Sequence, residues 1–471
     1  MSHPDPLKAA EKRSPEAEKL FAQAVNLHRV GRIDQAVTAY AQLLARFGDD
    51  AAAWGNLGVA LKSRDRTEAA LACYRRSLAM EPGNAGCWSN LGNALRWLGR
   101  LEEAEAAHRR ALETDPGYAQ AQYNLALVLY DQGRLNEALD LFERAIAARP
   151  QMKEIHWDRA LAWLMAGDLK RGFEGYEHRF DLPDLEERHF RQPRWDGASF
   201  AGKTLLLYSE QGYGDTIQFA RFVPLVKARG GRVVLECQAE LTRLMQSCGA
   251  DEVIAKEDPP PDFDLQAPLL STPHLLGVDW DTLPAERSYL SPSDPPPGKR
   301  LLLRRPPGTR FMVGVCWAGK PSQKNDRHRS MGLAPMLRLA AIPGVRLVSL
   351  QKGPRARELD AQGARPLVMD PTPRLNDFSD TARLLGQLDL VVTVCTSVAH
   401  LAGALGVPVW ILLTKVADWR WLLDQEDSPW YPDARLFRQS VLDDWEAPMD
   451  RVEQELRLMA RTADAQPRKT S

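Results

Sequence analysis

The sequence predicts an α plus α/β chain, a helical solenoid followed by two α/β lobes, and three observations predict it. Small and aromatic residues recur at a fixed period from about Ala17 to Tyr176. From Lys203 onward, short apolar runs alternate with helical stretches, the rhythm of βαβ units. A Pro-rich, basic linker, SPSDPPPGKRLLLRRPPGTR (291–310), separates two sets of that alternation.

The period is 34 residues, as the spacing of Ala36, Ala70, Ala104, Ala138 and Gly172 shows. Tyr40, Tyr74, His108, Phe142 and Tyr176 fall four residues after them. Pro82, Pro116 and Pro150 close three repeats, and Trp54-x-x-Leu57-Gly58 and Trp88-x-x-Leu91-Gly92 open two. Gly31, Gly99, Gly133 and Gly167 mark the turn inside a helix pair. This is the tetratricopeptide pattern. The small residue lets two helices approach, the aromatic fills the gap beside it, and Pro ends the pair. One pair cannot bury its apolar face alone, so the pairs stack into a superhelix with a concave groove. The predicted solenoid covers 15–185.

One column of the groove-facing helices carries Asn56, Asn90 and Asn124, with Asp158 in the fifth repeat. An Asn amide offers donor and acceptor together, which suits any peptide backbone; the alternative is repeat surface facing water. The spacing resembles the asparagine ladder in the repeats of O-linked N-acetylglucosamine transferases. That resemblance implies a polypeptide partner, a protein acceptor held in the groove. After Tyr176 the period fades into EHRFDLPDLEERHFRQPRWDG, a joint at about 181–202.

The first lobe, 203–297, opens with the strand KTLLLYSE and the glycine turn QGYGD leading into a helix. RVVLECQ, EVIAK and FDLQAPLLST follow with strand character. The second lobe, 309–462, contains FMVGVCWAG, RLVSLQKG and PLVMD, then the stretch Asp389–Leu413 on which the lobe centres. That stretch reads as a buried strand (Leu390–Val394), a polar turn, a helix (Val398–Leu405) and a second strand (Val409–Leu413). Asp444–Met459 is the last apolar helix, and 463–471 is predicted disordered. Two α/β lobes joined by a linker outline a GT-B glycosyltransferase, although other two-lobed proteins share that outline.

In parallel sheets ligands sit beyond the carboxyl ends of strands, where a helix N-terminus presents free N–H groups to an anion. Thr396 and Ser397 lie at such a junction and His400 one turn in; a plain N-cap and a buried His are the alternative. In SEQGYGDTIQF (209–219), Gly212 and Gly214 let the turn approach a ligand, with Gln218 a further acceptor-side candidate. Asp215 is either a helix-dipole carboxylate or a general base. CWAGKPSQKNDRHRS (316–330) gathers Lys320, Lys324, Arg327, His328 and Arg329 past a strand end, which suits a diphosphate. Gln351 and Lys352 end the next strand, and Asp377 and Thr381 precede a helix; each faces a nucleotide base or ribose, or serves as a cap.

These segments resemble the lipopolysaccharide heptosyltransferases. The resemblance implies that Asp215 is the catalytic base and Lys320 a donor-phosphate contact. Asn325, Asp326 and Arg329 match the recurrent part of that segment in bacterial repeat–glycosyltransferase proteins, which include flagellin glycosyltransferases. CTSVAHLAGALGVP resembles the family's D-T-[GS]-x-x-H-[LT]-A segment. Thr396, Ser397, His400 and Gly403 match it, and Cys395 stands where the family has Asp. A thiol neither carries full charge nor accepts two hydrogen bonds at its ordinary pKa, so this departure bears on donor and activity alike. ADWRWLLDQEDSPWYP (417–432) adds Trp419, Trp421 and Trp430 as a cleft wall or interlobe packing.

Composition sets the remaining expectations. The chain has 471 residues and a net charge of −1, which argues against general nucleic-acid binding. Its six Cys are scattered without metal-ligand spacing and read as free thiols. The polar N-terminus lacks a signal-peptide core, and no apolar run approaches the ~18 residues of a membrane span. A cytoplasmic protein is expected. The Asp262/Asp264 and Asp279/Asp281 pairs read as surface residues, so no metal and no cofactor beyond a nucleotide-sugar donor are expected. The predicted function is metal-independent, inverting glycosyl transfer to a hydroxyl, on a protein such as flagellin. An inactive repeat scaffold and a glycolipid or polysaccharide glycosyltransferase are the alternatives.

Overall fold

The computed structural model describes residues 13–182, 188–295, 301–321 and 326–462. Among the sequence-derived candidates, Lys324, Asn325 and the tail 463–471 lie outside the described residues, as does the side chain of Arg327. The chain forms two compact units, Met1–Ala162 and Trp163–Ser471.

The first unit is built from helix pairs: α1 (Pro15–Arg29), α2 (Ile33–Phe47), α3 (Ala51–Lys62), α4 (Thr67–Met80), α5 (Ala85–Trp97), α6 (Leu101–Thr114), α7 (Ala119–Asp131), α8 (Leu135–Ala148) and most of α9 (Lys153–Met165). Ser14, Asp50 and Asn84 cap α1, α3 and α5 with side-chain oxygens that accept a backbone N–H. The turn inside each pair needs a left-handed residue. Gly31, Gly99 and Gly133 supply it with φ of 76°, 73° and 79°, and Asp65 takes the same place at φ 58°.

The Trp column has a second job. Trp88 Nε1 donates to the Pro82 carbonyl at 2.8 Å, and Gln122 Nε2 donates to that of Pro116 at 3.0 Å. His156 Nε2 reaches the Pro150 carbonyl at 2.9 Å. Each side chain staples its helix to the proline that ended the previous pair.

The aromatic column packs as its spacing predicts. A Cβ on Gly58 would collide with the Tyr74 ring, and one on Gly92 with the His108 ring. His108 is the odd member. It is fully buried, neither ring nitrogen has a partner among the described residues, and burial pushes its pKa down to about 3. His108→Phe is expected to raise the stability of the first unit by about 1–3 kcal/mol at pH 7, the cost of a buried unpaired polar group. In the equivalent place of another repeat, Gly58 accommodates the larger Tyr74 ring. The pH dependence has a definite sign. Below pH 6.5 the unfolded imidazole gains a proton that the folded one refuses until about pH 3, so stability is lost as pH falls through that window. The variant should lose that slope of about 1.4 kcal/mol per pH unit, read by urea denaturation at several pH values.

The second unit starts inside α9 and includes α10 (Leu169–Tyr176). The sequence places the joint at 181–202, yet the second helix of the fifth repeat packs within the α/β unit. Phe173 meets Phe219 and Trp419 edge-on at 6.2 and 5.7 Å, and this apolar contact draws α10 across. Fully buried Arg179 then ties the following turn to Glu210 at 2.7 Å.

The unit contains two parallel sheets. The smaller has the order β3-β2-β1-β4, from β1 (Thr204–Tyr208), β2 (Arg232–Cys237), β3 (Glu252–Ala255) and β4 (Leu265–Pro268). The larger uses β5 (Phe311–Cys316), β6 (Val345–Ser349), β7 (Val368–Met369), β8 (Leu390–Val394), β9 (Val409–Leu413) and β10 (Ala434–Arg438) in the order β10-β9-β8-β5-β6-β7. Burial explains the composition: β8 and β9 are buried along their whole length, as continuous apolar runs require. In each sheet the winding reverses beside its first strand, between β1 and β4 and between β5 and β8. Ligand crevices form at such switch points, beyond the strand carboxyl ends. The single helix expected after the QGYGD turn is broken instead, with α11 (Tyr213–Phe219) followed by a tight turn and Val223–Lys227. β10 is absent from the sequence expectations.

Candidate functional site

Asp215 and His400, more than 180 residues apart in the chain, follow β1 and β8 and meet in one cluster. α11 packs against helix Ser397–Ala404. Gly214 makes that approach possible: a Cβ there would lie 2.8 Å from His400 Cδ2 and 3.5 Å from Ser397 Cα. The His400 ring cannot yield, because Nδ1 shares a 2.9 Å hydrogen bond with the Tyr431 hydroxyl and the ring stacks on Trp421 at 5.4 Å. Gly214→Ala is therefore expected to cost about 1–3 kcal/mol of unfolding free energy in the second unit, by overpacking. A wild-type denaturation midpoint would contradict that geometry. Gly212 carries no comparable constraint; it caps α11 with φ −77°, and only Asp215 lies near its Cβ direction.

The Asp215 carboxylate has two partners. Oδ2 accepts the Gly212 N–H at 2.9 Å, tying the N-cap residue to the first turn of α11, and Oδ1 accepts from Arg420 Nη2 at 2.7 Å. Both sequence readings of Asp215 therefore meet in one residue, since it caps the helix and partly faces solvent, with 23% of its side chain exposed. Burial raises its pKa, and Arg420 pulls it back. An ionised carboxylate has about four acceptor positions, so two stay open.

Arg420 is not among the sequence-derived candidates. It is 5% exposed and binds Asp215, Asp418 (2.9 Å) and the Gln218 side-chain carbonyl, with its guanidinium 4.3 Å from the Trp419 ring centre. Its signal in the sequence is the run Asp418-Trp419-Arg420-Trp421, an arginine between aromatic and acidic neighbours. Gln218, read as acceptor-side, is buried and holds Arg420 instead. Arg420 also depresses His400, which burial pushes down to about 3, so the imidazole is neutral at pH 7.

At the β8 switch point, Thr396 caps its helix by accepting the Val398 N–H at 3.3 Å. Ser397 is half-buried beside it. The Cys395 sulfur accepts the Trp421 indole N–H at 3.1 Å, and burial pushes the thiol up to about 11. Position 395 thus carries no anion at pH 7. Arg329 leans across to the Cys395 carbonyl at 3.4 Å.

The remaining candidates divide. Lys320 is exposed in the loop after β5. Asp326 is buried and braces that loop, accepting from Ser330 Oγ at 2.9 Å and Arg329 Nε at 3.2 Å. Gln351 is buried and spent: Oε1 accepts the Trp317 and Ala318 N–H groups, and Nε2 donates to the Ala318 and Lys352 carbonyls. Lys352 Nζ donates to the Leu375 carbonyl at 2.8 Å. Asp377 caps helix Phe378–Leu385 and accepts from Arg243 at 2.6 Å, while Thr381, inside that helix, donates back to the Asp377 carbonyl. Trp419 and Trp430 are buried ring-to-ring packing. Asp264 and Asp279 accept backbone N–H groups at Thr204 and Thr282.

In the first unit the polar column is uneven. Asn56 and Asn90 are half-buried. Asn124 is 5% exposed and already bonded to Ser89 Oγ and Gln120 Nε2, so its amide is turned to its own helices. Asp158 accepts the Tyr123 hydroxyl at 2.6 Å, and burial raises it to about 6.

Two tetratricopeptide-repeat family models match, over residues 21–85 and 85–151. The helical solenoid is therefore a tetratricopeptide array, a scaffold for protein–protein interaction. Protein FlbA of Caulobacter vibrioides is 29% identical over 325 residues, which cover 62% of this chain and 53% of that protein. The match thus spans about half the length of this curated relative. Among solved structures, a thermophilic repeat protein of Thermus thermophilus is 22% identical with a TM-score of 0.32, covering 36% of this chain and 92% of that one. MamA of Desulfovibrio magneticus is 16% identical with a TM-score of 0.33, covering 36% and 94%. No helix among the described residues is long and apolar enough to cross a membrane.

Proposed function

We propose that the second unit is a GT-B glycosyltransferase and that the repeats hold its protein acceptor. The observation that carries this reading is the contact of Asp215's helix with helix Ser397–Ala404, which brings the two switch points to one place. Asp215 takes the proton of an acceptor hydroxyl. The oxygen bonds the anomeric carbon as the bond to the nucleotide diphosphate breaks on the opposite face, inverting the centre. The charge leaves with the diphosphate, which Arg329, Lys320 and the N–H groups at Ser397 stabilise. Neutral His400 holds Tyr431 and the wall formed by Trp421. No metal enters this scheme. Free Cys residues suit a reducing, cytoplasmic setting.

The test is binding and transfer by the full chain, with UDP-, ADP-, GDP- and CMP-sugars and envelope proteins as acceptors; flagellin is the first choice. Binding of none of them would end the reading. Because Asn56 and Asn90 stay partly exposed, Asn56→Ala with Asn90→Ala should weaken acceptor capture and leave donor binding unchanged. One observation favours a second reading, a scaffold without catalysis: the neutral Cys395 thiol, capped by Trp421, cannot do the work of a carboxylate. Cys395→Asp separates the two, since it should raise transfer under the first reading and change nothing under the second.

A further inference from the structure

We propose that Tyr176, on the last repeat helix, is a positioning residue for the Asp215–Arg420 pair. Earlier members of its column pack against a small residue inside a helix pair, and Phe142 serves there with no hydroxyl at all. Tyr176 is 3% exposed, and its hydroxyl donates to Gln211 Oε1 at 3.3 Å. Gln211 lies in the turn that launches α11. Its carbonyl accepts from Gln238 Nε2 at 2.8 Å, and Gln238 Oε1 accepts from Thr216 Oγ1 at 3.0 Å, next to Asp215. The same Tyr176 ring lies edge-on to Trp419 at 6.5 Å, and Trp419 carries the Arg420 guanidinium over its face. One side chain therefore touches both the turn that orients the carboxylate and the indole that supports its cation. Arg179 donates to the Tyr176 carbonyl at 3.1 Å while pairing with Glu210, which fixes the end of α10 to that turn.

The inference concerns the site on which the proposed transfer rests, but its test does not need transfer. Amide hydrogen exchange of the full chain is read by mass spectrometry for wild type, Tyr176→Phe, Gln211→Ala and the double variant. Tyr176→Phe keeps the ring and loses the hydroxyl. It should speed exchange of Gly212 and Thr216, the hydrogen-bonded amides within 212–216, about 2- to 10-fold, the equivalent of one hydrogen bond, and leave β6 unchanged. In the Gln211→Ala background it should add nothing, because the two act through one contact. Wild-type exchange at 212–216 in Tyr176→Phe, or full additivity with Gln211→Ala, would overturn the proposal. If the phenylalanine variant loosens β6 as well, Gln211→Ala alone reads the link: wild-type exchange at 212–216 there would also overturn it. Where transfer is measurable, kcat and its acid limb should move with KM for the donor unchanged. A wild type that binds and transfers nothing would defeat the glycosyltransferase reading and leave the exchange result to decide Tyr176.

Discussion

Arg420→Met is expected to lower the unfolding free energy of the second unit by about 3–5 kcal/mol, the cost of stripping one partner from a buried charge cluster. Methionine replaces the aliphatic stem, so the loss is that of the guanidinium with its ion pairs and its contact with the Trp419 ring. Without it the half-buried Asp215 has lost its closest cation, and the Gln218 side-chain carbonyl loses its donor. The pH dependence follows from the direction of the Asp215 shift. A carboxyl whose folded pKa lies above its unfolded value contributes stability at low pH, and that contribution is lost as pH rises through the folded pKa. Removing Arg420 raises that pKa further. The penalty should therefore be largest at neutral pH and shrink as the medium is acidified through the carboxyl's folded pKa. Adding Asp215→Asn should recover part of the loss, because the amide needs no counter-charge. Urea denaturation at several pH values measures both effects. A variant within about 1 kcal/mol of wild type at pH 7, with no pH dependence, would mean that solvent screens the pair.

What was legible in the sequence, and what was not, follows from the range of the forces involved. The repeat period is a local rule, and it foretold the helix pairs, the aromatic column and the glycine turns. Even Asp65 takes the left-handed turn that glycine fills elsewhere. The strands β8 and β9 were legible because burial on both faces leaves an uninterrupted apolar run. β10 was not, because Arg435 and Arg438 interrupt its apolar pattern; they serve Glu455 and the carbonyls of Trp421 and Leu422. Arg420 escaped for a different reason. Its partners Asp215 and Gln218 lie more than 200 residues away, and no local pattern reports a long-range ion pair. Gln351 reads as a ligand contact because it follows a strand end, and Asp326 because its segment resembles that of bacterial repeat–glycosyltransferase proteins. Their side chains instead satisfy backbone and loop groups that a buried strand end leaves open. Asn124 differs from Asn56 by what its neighbours offer, Ser89 and Gln120, which the column alone did not weigh.

Asp215→Asn is expected to reduce glycosyl transfer by about 10²- to 10⁴-fold, the usual worth of a general base, while nucleotide-sugar binding stays at the wild-type level. Asparagine preserves shape, and its carbonyl can still accept the Gly212 N–H that caps α11. It cannot accept a proton, and its NH2 group faces Arg420 as a second donor, so a loss of chemistry is expected together with a loss of the ion pair. The carboxylate is placed for the role by opposing influences: burial raises its pKa, which strengthens it as a base, and Arg420 pulls it back down. The wild-type rate should therefore fall as pH drops through a value above the ordinary carboxylate pKa of about 3.9, and the Asn variant should lose that acid limb. Donor affinity by calorimetry and transfer by mass spectrometry separate the two effects. Equal losses in both would make Asp215 a structural cap for the cleft, and undiminished transfer would move the base elsewhere. Because the same carboxylate also accepts the Gly212 N–H and pairs with Arg420, the midpoint of unfolding must be measured alongside. A variant that transfers slowly yet unfolds like wild type leaves proton removal as the task Asp215 performs.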